Sequence, residues 1–144
     1  MILPDANILL YAVDEQSAHH GRARDWLEDA LAGTETVGLA WVSLLAFIRL
    51  STLHGLFVAP LTAGQAVDSV DSWLAQPAAR IVHPGPRHQE LLRELLAVAG
   101  TAGNLVTDAH LAALAIENGA LLATSDRDFG RFPRLRVSYP LHAT

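Results

Sequence analysis

Five short runs set the fold problem: ILPD (2–5), TVGLA (36–40), RIVHP (80–84), ALLATS (120–125) and RLRVSYP (134–140). Each is too short for a helix and reads as a strand. Segments of helical period separate the first four. ANILLYAVD and HHGRARDWLEDALAG come first, the latter with Ala23, Trp26, Leu27, Ala30 and Leu31 on one stripe and Gly33 at its end. WVSLLAFIRLSTLHG (41–55) follows, then the breaker VAPLT, AGQAVDSVDSWLAQP, HQELLRELLAVAG and NLVTDAHLAALAIENG (104–119), closed by Gly119. Only the turn DRDFGRF separates the last two strands. Strands alternating with helices predict an α/β sandwich around a mostly parallel sheet, because parallel neighbours need long crossovers. At 144 residues, with no linker or repeat, one domain over 1–144 is expected.

Composition narrows the chemistry. No apolar run approaches the roughly 18 residues of a membrane span, and MILPDANILL has no basic leader, so a cytoplasmic protein is expected. The absence of cysteine removes disulfides, thiolate zinc sites and cysteine nucleophiles. All ten basic residues are arginine. Without lysine there is no Walker-type phosphate loop and no Schiff-base chemistry. A haloacid-dehalogenase-type phosphatase is also set aside, since that class needs an acid pair after the first strand and a downstream lysine. Here the first strand leads into Asp5-Ala6-Asn7. The net charge of −5 offers no global attraction for nucleic acid, so substrate phosphates would need a local arginine patch.

Three acids fall where this architecture makes them converge. Asp5 ends the first strand, Asp126 ends ALLATS, and Asp108 lies in the first turn of a helix that runs back along the strand after it. Each has a simpler reading: a cap for Asp5, a favourable helix-dipole position for Asp108, a turn residue for Asp126. Together at one sheet edge they predict a cation among them, since close carboxylates repel. Oxygen donors without Cys or clustered His point to Mg²⁺ or Mn²⁺, whose activated water hydrolyses phosphodiesters.

The segments PDANILLYAVD, TDAHLAALAIENGALLATSDRDF and RLRV resemble PIN-domain ribonucleases, in particular the mycobacterial-type VapC toxins of toxin–antitoxin pairs. The resemblance covers essentially the whole chain. It implies a five-stranded sheet of order 3-2-1-4-5, Mg²⁺- or Mn²⁺-dependent RNA cleavage leaving 5′-phosphate and 3′-hydroxyl ends, a homodimer, and inhibition by a VapB-type antitoxin. By position it makes Asp5, Asp108 and Asp126 metal ligands and catalytic residues, steadied by Asn7 and Thr124. One departure stands out: many members carry a Glu in the third helix where this chain has Ala46 within LAFIRL, and no acid occurs between Glu35 and Asp68. Ser43, a turn earlier, and Asp128 are candidate substitutes. Arg49, Arg127 and Arg131 are candidate RNA contacts. His110 is the one histidine near the acids in sequence, and Trp26, Trp41 and Trp73 read as core or interface. The competing reading is a binding module that has lost catalysis and keeps only the antitoxin.

Overall fold

The computed structural model describes residues 1–100 and 105–142. Strands β1 (Ile2–Pro4), β2 (Val37–Ala40), β3 (Ala79–Val82), β4 (Leu121–Ala123) and β5 (Arg136–Ser138) form one sheet in the order β3-β2-β1-β4-β5. Every neighbouring pair is parallel. The helices are α1 (Ala6–Val13), α2 (His20–Ala32), α3 (Trp41–Ser51), α4 (Ala63–Leu74), α5 (His88–Ala99) and α6 (Leu105–Glu117), with a 3₁₀ turn at Arg127–Arg131 before β5. None of the helices among the described residues is long and apolar enough to cross a membrane.

The alternation of side chains along a strand builds the layers. β2 sends Val37 and Leu39 into a cluster with Leu9, Leu27, Leu44, Phe47 and Trp73 from α1–α4. Ala40, next along the strand, joins the opposite cluster with Leu91 and Leu95 of α5 and Leu114 of α6. The sheet is therefore covered on both faces, as a parallel sheet requires. Alanines 109, 112, 113 and 115 of α6 are fully buried, which lets that helix sit close.

Element ends follow local chemistry. The Asp5 carboxylate caps α1, accepting from Ala6 N–H at 2.7 Å. Thr62 and Gln65 form a reciprocal capping box at the start of α4. α3 stops at Ser51, not at the expected Gly55. At that end Ser51 Oγ and Thr52 Oγ1 both donate to Ile48 O, at 3.4 and 2.8 Å. The expected start of the final helix at Asn104 lies outside the described residues.

Candidate active site

The ends of β1 and β4 meet at a hydrogen-bonded knot. Asp5 N–H donates to Ala123 O at 2.8 Å, holding the strand ends in register. Thr124, fully buried, donates from Oγ1 to Asp5 Oδ2 at 2.8 Å. The same oxygen accepts from Asn7 Nδ2 at 3.3 Å and from Asp126 N–H at 3.0 Å. Asn7 Nδ2 also donates to Asp5 Oδ2 at 3.2 Å, while its Oδ1 accepts from Ser125 N–H at 3.2 Å. One hydroxyl thus ties Asp5, Asn7 and Asp126 together, and Asp5 is held by donors on both oxygens.

Beside the knot lies a cleft of about 420 Å³ between the starts of α1 and α6 and the length of α3. Asp5, Ser43, Ala46, Arg49, Thr107 and Asp108 line it. Asp108 is half-buried, and its carboxyl is pushed up to about 6. Burial is the main cause, followed by the charges of Asp5, Asp126 and Asp128, against which Arg131 works. Burial likewise raises Asp5, opposed by its hydrogen bonds from Thr124, Ala6 and Asn7 and reinforced by the charge of Asp126. These acids feel one another as a group with too little positive charge beside them.

Their positions differ in detail. Asp126 is not among the residues lining the cleft; its Oδ1 accepts from Asp128 N–H at 2.9 Å and caps the 3₁₀ turn. Among the described residues, no three acidic or imidazole side chains stand close enough together to hold one ion. Asp5 and Asp108 are the carboxylates that share the cleft. Asp128 is exposed and pairs with Arg131 at 3.4 Å. Arg127 lies over the Tyr139 ring, 4.2 Å from its centre. Arg49 is exposed at the cleft and makes no ion pair with another described residue. Position 46 presents only a methyl group to the same space.

The donor set fits a hard cation. Asp5, Asp108 and Ser43 line one cleft, and the Ser43 hydroxyl is buried without a hydrogen-bond partner. Oxygen donors of this kind suit Mg²⁺ or Mn²⁺, which accept few protein ligands and keep water.

A family model described as PIN domain matches residues 2–135. The chain belongs to the PIN-domain family. Within it the chain is 50% identical over 140 residues to Ribonuclease VapC37 of Mycobacterium tuberculosis, covering 97% of each. It is 41% identical to Ribonuclease VapC33 of the same species, over 98% of this chain and 99% of the other. Both relatives carry the VapC name that the sequence motifs suggested. The PIN fold is matched by the crystal structure of Mycobacterium tuberculosis VapC20, titled a sarcin-ricin loop cleaving toxin, with a TM-score of 0.69, 19% identity and coverage of 94% and 99%. VapBC2 from Rickettsia felis, bound to a promoter DNA fragment, matches with a TM-score of 0.69, 24% identity and coverage of 96% and 98%. These two likenesses concern the fold alone.

Other expected residues lie elsewhere. His110 turns from the acids to His88, with Nδ1 and Nε2 2.9 Å apart, and His88 Nδ1 meets Glu117 Oε1 at 2.6 Å. This Glu117–His88–His110 chain joins α5 to α6 and was not foreseen; the seven-residue spacing of His110 and Glu117, one face of a helix, was its only trace. Trp73 is core, whereas Trp41 is 46% exposed beside Leu45 at 59%. Thr107, a cleft residue, had no signal beyond its place next to Asp108.

Proposed function

We propose that this PIN domain, occupying residues 1–144, is the toxin of a VapBC-type pair and a cytoplasmic, cation-dependent endoribonuclease. The shared cleft of Asp5 and Asp108, with Asp126 knotted to Asp5 through Thr124, is the observation that carries the reading. Asp5 and Asp108 would hold a Mg²⁺ or Mn²⁺ ion, and Asp126 adds a third negative charge beside them. When bound, the ion offsets carboxylate repulsion, acidifies water for attack on phosphorus and steadies the charge of the phosphate.

The chain supplies the rest. Thr124 and Asn7 fix the Asp5 carboxylate, so its orientation is set before substrate arrives. Arg49, at the cleft, meets a backbone phosphate; Arg127 and Arg131 extend the contact on the side of the 3₁₀ turn. This local patch is needed because the net charge is −5. The exposed Trp41 and Leu45 on α3 give partners an apolar surface next to the cleft, for a second copy and for a VapB-type antitoxin. The names of the relatives and the VapBC complexes among its structural neighbours support that assignment.

The test is end-mapping of cellular RNA after expression without antitoxin. Wild type should leave cuts bearing 5′-phosphates, and Asp5→Asn or Asp108→Asn should reduce them by about 100-fold or more, as loss of a transition-state charge partner does. Purified protein should need Mn²⁺ or Mg²⁺ and fall silent with a chelator. Ala46 favours the rival reading of a catalytically silent antitoxin-binding module. Absence of Asp5-dependent cuts with either cation would overturn the enzyme reading and leave that rival standing.

A further inference from the structure

We infer that Ser43 is a positioning residue of this cation centre, its hydroxyl accepting a hydrogen bond from water carried by the ion. The inference rests on the cation reading above and names the group that stands in for the carboxylate missing at position 46.

Ser43 is 3% exposed and its Oγ has no hydrogen-bond partner. A buried hydroxyl left unpaired is destabilising, and native interiors hold few of them. His142 Nε2 is the other such atom among the described residues, and His142 does not line this cleft. The usual escape for a helical serine is to donate to the carbonyl three or four residues back, as Ser51 and Thr52 do onto Ile48. Ser43 is the third residue of α3, so the carbonyls three and four back belong to Ala40 and Leu39, at and before the helix start, and its Oγ bonds to neither. The hydroxyl is left unpaired in a residue that lines the same cleft as Asp5 and Asp108.

Spacing makes the substitution chemically sensible. Positions 43 and 46 lie on one helix face, and both line the cleft. A glutamate at 46 would bring a charged oxygen; Ser43 brings a neutral one from the preceding turn. Neutral oxygen is a weak direct ligand for Mg²⁺, but Mg²⁺ retains water readily, and that water is a good donor. Alanine would fill the same buried space without an orphan oxygen, so packing alone does not call for serine here.

The experiment is Mn²⁺ titration of the metal-free chain by calorimetry and by the electron-paramagnetic-resonance signal of free Mn²⁺, with melting curves taken before metal is added. The variants are Ser43→Ala, Ser43→Ala/Ala46→Glu and Asp5→Asn. Ser43→Ala should weaken Mn²⁺ binding about tenfold, the range seen when a supporting hydrogen bond is lost. Its metal-free melting temperature should match or exceed wild type, since an unpaired hydroxyl has been removed. Ala46→Glu in that background should restore the affinity. Ser43→Ala binding Mn²⁺ as tightly as wild type, while Asp5→Asn binds none, would overturn the role of Ser43 and leave the cation centre standing. A lowered metal-free melting temperature would assign Ser43 to packing and overturn it as well. Wild type that binds no Mn²⁺, or Asp5→Asn that binds it unchanged, would remove the centre and the inference together.

Discussion

The Thr124 side chain uses its full hydrogen-bonding capacity: it donates to Asp5 and accepts from Asn7 and from the Asp126 backbone. Thr124→Val keeps the shape and removes all three bonds; Asp5 and Asn7 keep their bond to each other, and the Asp126 N–H is left without a partner. Unfolding in urea should show a loss of roughly 1–3 kcal/mol, the penalty of stranding buried polar groups. Asp5 would lose the first of the hydrogen bonds that hold its pKa down, so its carboxyl should rise further and bind cation less well at neutral pH. A variant as stable as wild type, with unchanged cation affinity, would show the knot to be idle. In the same turn, Asp128 spends its backbone N–H on Asp126 and its carboxylate on Arg131. That makes it a turn former, and its charge reaches Asp108 only at a distance.

At the scale of elements, β2 is the crowded one. All four of its residues are buried, and a Cβ on Gly38 would stand 2.8 Å from Leu3 Cδ1 and 2.9 Å from both Met1 Sδ and Val82 Cγ1. Glycine there lets the side chains of β1 and β3 close over the centre of the sheet. Gly38→Ala should cost about 1–3 kcal/mol by overpacking, read as a lower urea midpoint with unchanged slope. An unchanged midpoint would mean that the neighbours move aside freely. The helices are legible from period and punctuation, but α3 is shorter than its apolar spacing predicts. Apolar spacing continues past Ser51, and the side-chain bonds onto Ile48 at that end leave no mark in hydropathy.

For the whole molecule, the gathered acids tie stability to pH. Asp108 is raised from 3.8 to about 6, and Asp5 is raised as well. A raised carboxyl means that the folded state holds the proton more tightly than the unfolded chain does. The stability this contributes is fully present below about pH 4 and is lost as pH rises through about 6. Metal-free protein should therefore lose melting temperature across that window relative to Asp108→Asn, which lacks the titration. Comparison with that variant cancels His110, whose lowered pKa acts in the opposite sense. Saturating Mn²⁺ should reverse the loss, so the cation-induced shift should grow from pH 5 to pH 7.5. Parallel curves for wild type and Asp108→Asn would show that the acids do not interact as described.

Much of this was written in local pattern. Short apolar runs between helical segments specify a parallel α/β sheet, because period and length are properties of neighbours along the chain. The same punctuation put Asp5 and Asp126 at strand ends and Asp108 in a first turn, before any contact was known. Strand order came from motif resemblance, since periodicity says which segments are strands and not which ones pair. The tertiary structure settled what depends on partners far apart in the chain: Thr124 bonds Asp5 across 119 positions, a pairing set by the parallel register of β1 and β4. It also placed Asp5 and Asp108 in one cleft whose lining does not include Asp126, raised the pKa of Asp108, and left Trp41 about half exposed. Burial and charge proximity are sums over every neighbour in space. That is why the orphaned hydroxyl of Ser43, ordinary as a letter in WVSLLAFIRL, became visible only once the helix was packed.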